Sequence, residues 1–250
     1  MALTTALLFL IAPSARAQRA LDLDAATITE LNAAFDAGTL TSEQLVKRYL
    51  ARIAAYDRQG PAIHAVIVLN PKALETARAL DGERKAKGKR SPLHGIPIVL
   101  KDNYDTRDLP TTAGSVLLEG YIPARDAVLV QKLRDAGAIV LAKVNLSEFA
   151  SGSTYSSLGG QTLNPHHLAF SPGGSSGGTG AAVAAAFAQF GLGTDTGGSI
   201  RGPATVNGIV ALKPTHGLLS RSGIIPLALS FDTGGPMARS VTDVAIALGA

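Results

Sequence analysis

Ser171 to Gly180 reads SPGGSSGGTG, a stretch whose residue types suit three different tasks. The first is holding a phosphate. A phosphate loop of the G-x-x-x-x-G-K-[ST] kind needs a lysine after its last glycine. Gly173 and Gly178 have the spacing, but Thr179 stands where that lysine belongs, and no G-x-G-x-x-G follows. The second task is presenting a nucleophile. Gly173 to Gly177, GGSSG, matches the G-x-S-x-G turn of α/β-hydrolases, and Asp195 and His216 follow in the order such a triad requires. That reading makes Ser175 the nucleophile of a His216-dependent esterase. Against it, Pro172 interrupts the strand that should precede the turn. The third task, a flexible linker, calls for polar surroundings rather than an apolar segment on one side and an Ala-rich helix on the other.

The elements around this stretch predict an α/β fold. Thr41 and Gln44 form a capping box ahead of a helix whose apolar stripe is Leu45, Tyr49, Leu50 and Ile53. AIHAVIVLN is a candidate strand, and Pro71 to about Lys85 reads as helix. GIPIVLKDN, from Gly95 to Asn103, is a short apolar strand with a polar end. Asp126 to Asn145 reads as helix, glycine stop and buried strand. Alternation of this kind predicts a mainly parallel or mixed sheet. Ala181 to Phe190, AAVAAAFAQF, reads as a helix starting just after the glycine-serine loop. No internal repeat or interdomain linker stands out.

A second stretch, GLGTDTGGSIRGPA, sets Ser199 after two glycines, one expected helix beyond Ser175. Together HGIPIVLKDN, SPGGSSGG and GTDTGGSIR, in this order, resemble the amidase signature family, and the likeness runs from about Ile28 to the end of the chain. Within the family the sequence is most similar to bacterial secreted amidases related to peptide amidase. The resemblance implies the amidase signature fold, a central mixed β-sheet flanked by helices. It implies hydrolysis of a carboxylic amide through an acyl-enzyme. The motif positions carry over as Ser199 the nucleophile, Ser175 the bridging serine after a cis Gly174–Ser175 bond, and Lys101 the ultimate base. Such a lysine must be neutral, and burial lowers its pKa by disfavouring the cation. In TDTGGS the backbone N–H groups of Thr196, Gly197, Gly198 and Ser199 are expected to converge on an oxyanion. Ser176 and Thr194 are expected to orient the triad, and Asp195 and Arg201 to brace the loop as a charged pair. No cofactor and no metal are implied. The partners implied are a small-molecule or peptide amide substrate and, in addition, a homodimer is compatible. Family members are commonly close to twice this length, so residues 18–250 read as the N-terminal part of a single amidase domain, lacking later segments of the sheet and acyl pocket.

Composition excludes several other classes. The net charge is +4, from 23 Lys+Arg against 19 Asp+Glu, and aromatic residues make up 5%, which does not argue for nucleic acid. With no cysteine, disulfides, thiolate metal sites and a cysteine nucleophile are all ruled out. Five histidines occur without HxxxH or HExxH spacing. Ala6 to Ala12, ALLFLIA, followed by ARA at Ala15 to Ala17, resembles a signal peptide cleaved after Ala17, although no basic residue precedes the apolar run. Export to the periplasm or medium is the expectation, with no stable membrane span once the leader is removed.

Overall fold

The computed structural model describes residues 21–250, so the leader expected at residues 1–17 lies outside the described residues. Chain order is α1 (Ile28–Asp36), α2 (Ser42–Tyr56), β1 (Val66–Leu69), α3 (Ala73–Lys87), β2 (Pro97–Lys101), α4 (Val128–Asp135) and β3 (Ile139–Val144). It continues with β4 (Tyr155–Ser156), β5 (Gly160–Gln161), α5 (Gly177–Ala184), β6 (Phe190–Asp195), α6 (Arg201–Val206), β7 (Val210–Ala211), β8 (Thr233–Ala238) and α7 (Val241–Leu248).

Six strands form one sheet in the order β1-β3-β2-β6-β8-β7. Strand β2 runs parallel to both β3 and β6, while β1, β8 and β7 join antiparallel, so the sheet is mixed as expected. Every residue of β2, β3, β6 and β8 is buried. Strands buried on both faces read as continuous apolar runs rather than alternating ones, which is why PIVLK and IVLAKV look alike in sequence. Helix α5 packs on β2, β6 and β8, α3 on β3, and α7 on β7 and β8. Among the described residues no helix is long and apolar enough to cross a membrane.

Local chemistry accounts for the boundaries. The capping box at Thr41 is formed, its side chain accepting from Gln44 N and its N–H donating to Gln44 Oε1 at 3.0 Å. Leu45, Val46, Tyr49 and Ile53 of α2 are buried, and the Tyr49 hydroxyl donates to Gln189 Oε1 at 2.8 Å. Two expectations are corrected. The strand in AIHAVIVLN shrinks to Val66–Leu69, because Ala62 and His64 have φ of +51° and +56°, which extended chain does not allow. The helix expected over Ala181–Phe190 starts earlier, at Gly177, and ends at Ala184, while Phe190 already belongs to β6. Ala186, at φ +50°, turns the chain between them.

Candidate active site

The site forms at the ends of β2 and β6, which lie side by side in register Leu100↔Leu192. Lys101 is the last residue of β2 and Thr194 lies near the end of β6. Their neighbour is the loop that leads into α5, which carries Ser175 and Ser176. Parallel pairing therefore brings together residues far apart in sequence at the carboxyl ends of the two central strands, the usual place for chemistry in an α/β fold.

Lys101 is fully buried. Its Nζ lies 2.7 Å from Ser175 Oγ and 2.7 Å from Thr194 Oγ1. A charged amine donates at the first contact, whereas a neutral amine can instead accept the Ser175 proton. Burial pulls the Lys101 pKa down to about 7, with the Asp195 and Asp232 carboxylates acting weakly the other way. No carboxylate among the described residues forms an ion pair with it. Asn103, two residues on, donates to the same Thr194 Oγ1 at 3.2 Å and fixes that hydroxyl from a second side.

Ser175 is almost wholly buried, and the Gly174–Ser175 peptide is cis. Ser176 is locked to β6 in both directions: its Oγ donates to Thr194 O at 3.1 Å and accepts from Thr194 N at 3.2 Å. The glycines of the loop meet a packing demand. A Cβ on Gly178 would stand 2.1 Å from the backbone oxygen of Asn145, and one on Gly177 would stand 2.1 Å from Thr154 Oγ1. The start of α5 is thus pressed against the chain that follows β3.

Ser199 is partly exposed. Its carbonyl accepts from Ser176 N at 3.1 Å, so the two serine segments are joined through the main chain. Its hydroxyl makes no hydrogen bond to Ser175 or any other group among the described residues. The expected set of donors needs one correction. Gly198 N donates to Asp195 Oδ1 at 2.7 Å and is not free for an oxyanion, whereas no partner within the described structure takes the N–H groups of Thr196, Gly197 and Ser199. Asp195 also accepts from Ile200 N at 3.0 Å and pairs with Arg201 Nε at 3.1 Å. Burial acts to raise the Asp195 pKa, but the Arg201 guanidinium and the Ile200 and Gly198 amides outweigh it and hold the carboxyl below its usual range.

The esterase arrangement is not assembled. His216 is exposed and its Nε2 approaches Leu229 O at 3.4 Å, while Asp195 is engaged by Arg201 and Ser175 by Lys101. A serine with 1% exposure is also badly placed to meet a substrate.

Sequence reasoning passes over Asn103 and Asp232, although Asn103 closes one of the three motifs. Asp232 accepts from the Thr196 hydroxyl and from Leu227 N at 2.9 Å, tying the segment before β8 to the donor loop. Nothing in their residue types separates them from ordinary loop polar groups. A small cavity of about 10 Å³ lies between Asn103, Thr194, Thr196 and Asp232. A larger one, about 570 Å³, is lined by Arg52, His166 and Arg239 and by none of the residues above.

The family model described as Amidase matches residues 44–250. The chain is 50% identical over 226 residues to a glutamyl-tRNA(Gln) amidotransferase subunit of Acidothermus cellulolyticus, covering 90% of this chain and 44% of that protein. It is 51% identical over 219 residues to the corresponding protein of Thermobifida fusca, covering 87% and 43%. Among solved structures, native peptide amidase from Stenotrophomonas maltophilia superposes with a TM-score of 0.88 at 53% identity, covering 90% of this chain and 47% of that one. An amidase family protein from Bacillus anthracis gives 0.87 at 45%, covering 90% and 46%. The chain spans about half the length of the curated relatives it matches.

Proposed function

Given that this chain belongs to the amidase family, we propose that it supplies the nucleophile and proton relay of an enzyme that hydrolyses a carboxylic amide. The observation that carries this reading is Lys101: fully buried, held by hydroxyls, and 2.7 Å from Ser175 Oγ. An amide is a poor electrophile and a serine hydroxyl a poor nucleophile, so both a base and an oxyanion site are needed.

In the proposed reaction, Ser199 Oγ attacks the amide carbonyl carbon. Its proton passes to Ser175 Oγ as the Ser175 proton passes to the neutral Lys101 amine. The oxygen of the tetrahedral intermediate accepts from the N–H groups of Thr196, Gly197 and Ser199. Collapse breaks the C–N bond, and Lys101 returns a proton through Ser175 to the departing nitrogen. Water then takes the place of the amine and attacks the acyl carbon as its proton passes along the same relay to Lys101. The ester bond to Ser199 Oγ breaks, the relay returns that proton to Ser199 Oγ, and the acid leaves. Thr194 and Ser176 orient the relay, and Asp195 with Arg201 shapes the donor loop.

A peptide amide is the substrate class we favour, supported by the likeness to peptide amidase at 53% identity and by the leader-like start, which also favours an exported enzyme. A second reading, one component of a glutamyl-tRNA(Gln) amidotransferase, is supported by 50% identity to that protein. Ammonia release from peptide amides by the chain without partners separates the two.

Intact-mass labelling with an amidase-directed acylating probe tests the chemistry. One adduct on the wild type, lost in Ser199→Ala and in Lys101→Met, is the expected result. An adduct that persists in Ser199→Ala would remove Ser199 from its role.

A further inference from the structure

The proposed relay works only if Ser175 Oγ stays against Lys101 and the Ser199 hydroxyl comes within its reach. Ser175 sits in a loop, and loops are where positions wander. What fixes this one comes from the segment after β3. Ser147 N donates to Ser175 O at 3.1 Å, and Ser147 Oγ donates to Gly152 O at 2.7 Å, closing the segment on itself. Thr154 does more. Its Oγ1 donates to Gly173 O at 2.5 Å and accepts from Gly177 N at 3.1 Å. Gly173 and Gly177 lie on either side of Gly174–Ser175–Ser176, so one hydroxyl spans the reactive turn from its entry to its exit.

Thr154 is itself fully buried, and it stands so close to Gly177 that only glycine fits there. Its hydroxyl has one proton and both of its roles filled, so no water is needed to complete it. The Gly177 amide it accepts from opens α5, where N–H groups lack partners within the helix. A buried group bonded at both ends is costly to disturb, because removing it leaves a carbonyl and an amide unsatisfied together.

We propose that Thr154 is a positioning residue for amide hydrolysis: its hydroxyl clamps Gly173 and Gly177 and so holds Ser175 in contact with Lys101. The kinetic consequence rests on the function proposed above, but the geometric one does not. A displacement of about 1 Å in a relay group can cost on the order of a hundredfold in rate.

The test uses Thr154→Val, which keeps the shape and loses the hydroxyl, beside Thr154→Ser, which keeps the hydroxyl. Two readouts are taken: the rate of Ser199 acylation by the probe, and the NMR signal of isotope-labelled Lys101, assigned by its loss in Lys101→Met. The valine variant is expected to label at least tenfold more slowly, with the Lys101 signal displaced, while the serine variant stays within about threefold of wild type. Should the valine variant not fold, Thr154→Cys takes its place. Wild-type rate and an unmoved Lys101 signal in the valine variant would overturn the clamp. So would equal impairment in the valine and serine variants, since keeping the hydroxyl would then give the turn no protection. If the wild-type chain takes no label, the proposed function fails on its own, and the Lys101 signal alone decides the clamp.

Discussion

Lys101 and Lys143 stand on neighbouring strands, both fully buried, and differ in their partners. Lys143 Nζ lies 2.8 Å from Asp102 Oδ1 and donates to Thr111 Oγ1 and Pro110 O. Burial pulls its pKa down while the Asp102 carboxylate pulls it up, so the charge has a counterion. Lys101 meets only hydroxyls and a carbonyl, which serve a neutral amine as well as a charged one. The sign of the pH dependence follows. Lys101 is protonated below its pKa of about 7 and free to accept a proton above it, so kcat/KM should rise through about pH 7 on the acid side. A flat profile between pH 6 and about 8 would deny Lys101 the role of base. Asp195 acts on this limb. Its carboxylate favours the Lys101 cation, so Asp195→Asn should move the limb to lower pH. The same change loosens the loop that the carboxylate fixes through Gly198 N and Ile200 N, so kcat should fall as well. Arg201, whose side chain is 58% exposed, should matter less, because Asp195 keeps its amide donors without it: Arg201→Met is expected to lower the chemical-denaturation midpoint less than Asp195→Asn does.

At the scale of elements, legibility tracks how local the cause is. The α2 helix is readable because its capping box and stripe lie within its own residues. Strand β2 is readable because a strand buried on both faces is a plain apolar run. Strand β8, TGGPMA, is not readable as a strand. Two glycines and a proline look like a turn, yet a Cβ on Gly235 would stand 2.2 Å from Leu212 O, so the neighbouring chain dictates the residue. The same blindness misplaces the start of α5, whose glycines would weaken an isolated helix. For the site, Lys101, Ser175 and Thr194 can be named from motif order, whereas Thr154 and Asp232 act through contacts distant in sequence. A pair of glycine substitutions separates local from tertiary cause. Gly82 lies inside α3 with nothing within 4 Å of an added Cβ, so Gly82→Ala should raise stability by roughly 1 kcal/mol. Gly178→Ala forces a Cβ to 2.1 Å from backbone and should lower stability by about 3 kcal/mol or more. Thermal denaturation of both variants checks the contrast.

For the whole molecule, a base buried in the sheet couples the proposed chemistry to folding. Lys101 has a folded pKa of about 7, against about 10.4 for a lysine in an unfolded chain. Between those values the unfolded state binds more protons than the native state. Stability must therefore climb with pH across that window, by up to about 1.4 kcal/mol per pH unit from this residue. Below pH 7 the penalty of burying the lysine is present in full, and it is relieved as pH rises toward the unfolded value. Other groups titrate too, so the sharp quantity is a difference between two proteins. Lys101→Met keeps a similar length of chain in the same apolar strand and carries no proton. Subtracting the urea-unfolding free energy of Lys101→Met from that of the wild type cancels groups common to both. The difference should be most negative near pH 7 and rise toward about pH 10. The methionine variant should be the more stable protein at neutral pH and inactive at every pH, since the cost removed is the cost of keeping a neutral amine beside Ser175. A difference that stays level across the window would mean that Lys101 holds its proton in the native state, and a charged amine has no lone pair with which to begin the relay.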